Sequence, residues 1–182
     1  MKLSKLMDGI ELFPDFQGVV TADDYVLAVG FGGETEPDDY VVAQEGITEH
    51  SGTMSAQTTE NTYIRGGAQS TKTGTTRTIS ISGHRYVGDA FQDALLDHKL
   101  KYGTGQSVIK PYVYFCKITG KGEKGMASIV IEEDPSGAAG NNAGIKATLT
   151  ARGTPREYTY SAKAATAPDG NTPDGGKPED DE

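Results

Sequence analysis

The chain has no tryptophan and a single cysteine among 182 residues, and it carries only three histidines. One cysteine cannot close a disulfide within the chain. Cys116 also lies inside the apolar run 112–118, where it is expected to pack as a small buried hydrophobe. His50, His84 and His98 form no HExxH or other metal-binding pair, so no zinc site is expected. No stretch approaches the roughly 18 apolar residues of a transmembrane helix. The start of the chain has Lys2 and Lys5, but Asp8, Glu11 and Asp15 interrupt any signal-peptide core. There is no GxxxxGK[ST] loop and no GxSxG elbow. Glu132, Glu133 and Asp134 are neighbours on one strand and would point to alternate faces, so they make no carboxylate pair by themselves. Nothing in the sequence points to an enzyme, a cofactor or a metal.

A basic patch is also missing. The net charge is −9. The last seventeen residues hold six acids and one base, and the remainder is only mildly acidic. Arg65, Lys72, Arg77 and Arg85 give a local positive excess, read as solvated charge or subunit pairing, not as nucleic-acid contact.

What is plentiful is glycine, at 24 residues, together with serine and threonine, against an apolar content of 35%. This suits a β-rich chain with many turns, or one that completes its burial by association. We divide it into a lead-in (1–18), a β domain (19–162) and a disordered acidic tail (163–182), whose Ala/Thr/Pro/Asp/Gly composition cannot bury a core. Strands are predicted at 25–29, 40–43, 47–54, 77–86, 108–118, 126–133, 145–152 and 158–160. Alternation is cleanest at Ile145, Ala147, Leu149 and Ala151 against Lys146, Thr148, Thr150 and Arg152. Pro111 argues for an edge, a bulge or a strand beginning. The segments 119–125 and 134–144 read as turns or loops.

The best-specified block is TTRTISISGHRYVGDAFQDALLD, residues 75–97. Ile79 and Ile81 alternate with Thr78, Ser80 and Ser82, and at Gly88-Asp89 the period changes from strand to helix. Asp89 is the predicted N-cap, with Gln92 as its capping-box partner. Phe91, Ala94, Leu95 and His98 fall on one helix face, with Phe91, Ala94 and Leu95 as the core contact. Before this block, the polar segment 55–74 reads as a loop, either flexible or ordered against another copy of the chain, and we favour the second. The whole reads as a mainly β fold: a β-sandwich or split barrel with one flanking α-helix.

The order of blocks resembles the major tail tube proteins of long-tailed, siphovirus-like bacteriophages. The resemblance is carried by the Thr/Gly-rich stretch leading into TRTISISG, then GDAFQDALL, VIKPYVYF, GKGEKG with ASIVIEE, and GIKATLTARGTP. It covers most of 40–160. It implies a non-enzymatic virion structural protein that forms hexameric rings, stacked by self-assembly into a tail tube for DNA delivery during genome ejection. The implied partners are copies of itself, other tail proteins (tape measure, terminator and distal tail proteins) and double-stranded DNA passing without specific binding. The implied location is the virion tail, after synthesis in the host cytoplasm. On this reading Met54, Tyr63, Ile64, Arg65 and Lys72 belong to an inter-subunit loop. Glu45, Glu49, Glu132 and Glu133 are candidate lumen acids, which would repel DNA from the wall. The alternative is a monomeric β-sandwich binding module for carbohydrate or a host surface, against which the lack of tryptophan and the dispersed tyrosines count.

Overall fold

The computed structural model describes residues 1–34 and 36–161. The predicted strands are realised, with changed bounds, as eight antiparallel strands in one sheet, the mainly β fold expected. They are β1 (Tyr25–Val29), β2 (Val41–Val42), β3 (Ile47–Tyr63), β4 (Gly67–His84), β5 (Ile109–Cys116), β6 (Lys121–Ser136), β7 (Gly144–Ala151) and β8 (Arg156–Thr159). The path through the sheet is β2-β1-β5-β6-β7-β4-β3, with β8 pairing the start of β6. Pro111 sits inside β5 without breaking it. Its carbonyl accepts from Gly30 just past the end of β1, so its missing N–H falls where that neighbour's ladder has already stopped.

The sheet curls on itself. His50 on β3 and Tyr114 on β5 are far apart in strand order, yet Tyr114 Oη lies 3.2 Å from His50 Nδ1. The two end strands β2 and β3 approach without forming a ladder, which leaves a seam and makes the body a split barrel. Alternation then gives each strand an inner and an outer set. Inside lie Leu27, Val29, Ile79, Ile81, Tyr112, Ile129, Ala147 and Leu149. Outside, Val26, Ala28, Val42, Val113 and Phe115 pack against Leu3, Met7, Tyr40, Tyr158 and Tyr160. Residues 1–18 are thus joined to the domain by their packing: helix α1 (Leu3–Leu6) carries Leu3, which is completely buried.

The single flanking helix expected is two short ones, α2 (Ala90–Leu95) and α3 (His98–Lys101). Asp89 caps α2 by accepting from the Gln92 N–H at 3.0 Å. Asp97 caps α3 in the same way, and this second cap restarts the helical phase. His98 is therefore exposed, and Leu100 takes the buried place that the 3.6-residue stripe had given to His98. Phe91 and Leu95 plug one end of the barrel, while Ala94 is half-buried. Gln92 is not a capping-box partner. Its side chain turns inward, donating to the carbonyls of Glu45 (2.6 Å) and His84 (3.0 Å) and accepting from the Tyr86 N–H (2.7 Å).

Two further expectations change. Residues 121–125 (KGEKG) are strand, not a turn; the chain turns at Lys117–Gly120, where the Gly120 N–H donates to the Cys116 carbonyl. Gly122 is there for close approach, because a Cβ would stand 2.2 Å from the Tyr114 carbonyl oxygen. The strand ending at Glu133 instead continues to Ser136 through bulges. The acidic tail (163–182) lies outside the described residues.

Candidate functional site

The segment 55–74 is not a loop. It is the outer part of a hairpin formed by β3 and β4, paired in register from Ser55↔Thr76 to Tyr63↔Gly67 with one irregularity at Gln57/Thr58. β7 supports β4 only from Thr78 onward, so past that point the hairpin leaves the barrel as a two-stranded arm with both backbone edges open. Every residue from 51 to 73 is exposed. Burial therefore does not hold this arm together; its ladder and the β propensity of its threonines do.

At the arm's root the barrel closes with a polar layer. Arg77 Nε, on β4, donates to Glu123 Oε1 on β6 at 2.6 Å, and its guanidinium lies over the Tyr114 ring of β5, 5.4 Å from the centroid. The ion pair is well shielded, with side-chain exposures of 9% and 18%. Tyr25 stacks on Tyr114 at 5.5 Å, and His50 joins Tyr114 to the Ala22 carbonyl at 3.0 Å. Gly52 leaves room for this arrangement: a Cβ there would lie 2.5 Å from Arg77 Nη1. Burial, then the nearby Glu123 charge, pushes the Tyr112 phenol well above its ordinary range. Burial is also the main cause of the upward shift at Tyr114.

The proposed loop residues distribute along the arm. Met54 stands at its root, opposite Arg77; Tyr63, Ile64 and Arg65 form its tip; Lys72 lies on the returning strand. The shaft between root and tip is mostly serine, threonine, glutamine and asparagine, with small residues and the charged Glu60 and Lys72 among them, so the arm's exposed large apolar side chains stand at its two ends.

Three of the four acids come together. Glu49, Ser82 and Lys146 are register partners across β3, β4 and β7 on the outer face, and the bulge in β6 brings both Glu132 and Glu133 beside Lys146. The bulge defeats the alternate-face expectation for these two neighbours. Glu132 accepts from the Thr148 hydroxyl and pairs with Lys146 at 3.0 Å; these contacts, Thr148 first, hold its carboxyl below the usual range. Lys146 is raised in turn, first by its hydrogen bond to Glu132 and more weakly by Glu133 and Glu49. Glu45 stands apart, in the turn beneath α2, where its backbone carbonyl serves Gln92. Beside this cluster the outer face is hydroxylic, with Ser80 Oγ 3.1 Å from Thr148 Oγ1.

Two concavities flank these features. One, of about 340 Å³, follows the seam beside Tyr25, Val42, Ile47 and His50. The other, of about 360 Å³, lies at the helix-plugged end between Phe31, Ala94 and Leu100. Among the described residues no cluster of His, Cys, Asp or Glu could hold a metal ion. No described helix is long and apolar enough to cross a membrane.

This fold is shared with chains of solved gene transfer agent particles. A chain from the tail of an empty gene transfer agent particle, refined as a helical assembly with C6 symmetry, superposes with a TM-score of 0.58 at 15% identity; the match covers 78% of this chain and 100% of that one. A chain from the virion of the native gene transfer agent particle gives 0.55 at 14% identity, with the same coverage. At this identity the likeness is one of fold. No protein-family model matches the sequence, and no curated protein matches it either.

Proposed function

We propose that this chain is a non-enzymatic structural protein of a virion tail, assembling into stacked hexameric rings that form a tube for DNA. The observation that carries this is the shared fold over the full length of a tail subunit whose assembly has C6 symmetry. The projecting arm supports it. An arm with two open edges and no buried side chain gains little in a monomer and exposes unpaired backbone to pairing with other copies. Met54, Tyr63, Ile64, Arg65 and Lys72 are then the inter-subunit residues.

In this tube the outer face of β3, β4, β7 and β6 turns to the lumen. Its hydroxyls and the cluster of Glu49, Glu132 and Glu133 around Lys146 would present DNA with a wall of little cationic character. Each phosphate paired to an unbalanced Lys or Arg would add salt-dependent affinity and slow passage. Tape measure, terminator and distal tail proteins would bind the ends of the tube.

The test is sedimentation velocity with increasing protein concentration. A hexamer-sized species or larger polymers are expected, and a purely monomeric boundary at every concentration contradicts the proposal.

A further inference from the structure

The tip of the arm exposes large apolar side chains to solvent. Ile64 is fully exposed and Tyr63 is 54% exposed, while the left-handed position of the turn is taken by Gly67, so neither side chain is needed to shape the backbone. Arg65 beside them has no partner among the described residues. The shaft is polar, so the tip presents one compact apolar and cationic contact at the end of a long lever. From Ser55 the arm extends about 30 Å, at roughly 3.3 Å per strand residue.

The chain has a complementary surface at its opposite pole. β3 and β4 leave the barrel at Met54 and Arg77, whereas Phe31, α2 and α3 close the other end. There the groove of about 360 Å³ is walled by Phe31, Ala94 and Leu100; of its two acids, Asp93 is already paired with Arg85, and Asp97 is exposed, its carboxylate bonded among the described residues only to the Lys99 N–H. Lys99 and Lys110 also line it, and Glu60 on the shaft offers them the opposite sign. The tip points away from its own groove, so only a second copy can supply one to the other.

We infer that the tip Tyr63-Ile64-Arg65 seats in the groove between Phe31, Ala94 and Leu100 of a second copy, with Arg65 facing Asp97. The inference rests on the tube reading and specifies one of its contacts. Tip and groove are different surfaces, so the contact is head-to-tail and does not close on itself after two copies; it extends along an axis.

Disulfide trapping tests it on the full chain in a Cys116→Ala background. Ile64→Cys and Ala94→Cys, placed in separate chains and mixed, should give a covalent dimer on oxidation. The two combined in one chain should give a ladder of multimers. Ile64→Cys mixed with Val19→Cys, which lies at the arm's own pole, should give none. Assemblies that form but trap Ile64 with Val19, or with neither position, overturn the seat and leave the tube reading standing. Failure of the unsubstituted chain to assemble at all overturns both.

Discussion

Arg77 joins the two parts of the molecule. It is the first residue of the arm beyond the support of β7, and it reaches across to Glu123 while stacking on Tyr114. Removing one member of a shielded pair strands the other, at a cost of about 3–5 kcal/mol when burial is complete. Arg77→Met should therefore lower stability by about 3 kcal/mol, read as a shift in the urea midpoint, and Arg77→Lys should restore only part of it. The sequence showed Arg77 only as one cation in a basic run, since neither Glu123 nor Tyr114 is near it in the chain. The acid side of the pH profile is set by carboxylates such as Glu132 and Asp24. Asp24 is held low first by the Thr21 backbone N–H, and Glu132 first by the Thr148 hydroxyl. A depressed carboxylate stabilises the fold above its unfolded value of about 4 and loses that contribution as pH falls through the folded value. The thermal midpoint should thus fall from pH 5 to pH 3, and Asp24→Asn should flatten part of that slope in calorimetry at matched pH.

The elements differ in how plainly the sequence reveals them. Strands β1, β5 and β7 could be read because one or both faces are buried and the apolar spacing records it. The arm could not, because both of its faces are exposed and no hydrophobic period marks it. Its pairing is a property of the backbone, which composition does not display. The helix was legible at Phe91 and Leu95 and misleading at His98, since the cap at Asp97 resets the phase. Replacing 55–74 by a short turn should change the stability of the barrel by less than about 0.5 kcal/mol, as surface changes do. The same excision should abolish polymerisation, with circular dichroism and light scattering reading the two effects. Gln92→Ala should do the reverse. It orphans the Glu45 and His84 carbonyls and the Tyr86 N–H at about 1–3 kcal/mol each, so a loss of at least 2 kcal/mol is expected in thermal melts, with the arm intact.

At the scale of the whole molecule, the mainly β class follows from many short alternating runs around a capped helical segment, whereas the strand order comes from pairings that only the folded sheet shows. The candidate site was legible only in part. Tyr63, Ile64 and Arg65 were picked out as a contact, but their place at the tip of a lever depends on a register that only the folded sheet supplies. The groove opposite was not foreseen, because Phe31 is separated from Ala94 and Leu100 by three strands, β2, β3 and β4. A body that is folded on its own yet carries a long open-edged arm is built to be completed by its neighbours. Electron microscopy of the purified full-length chain at high concentration tests this most directly. The account predicts rings or tubes of six-fold symmetry that disappear when residues 55–74 are removed; dispersed monomers from the intact chain, or identical tubes from the armless one, would contradict it.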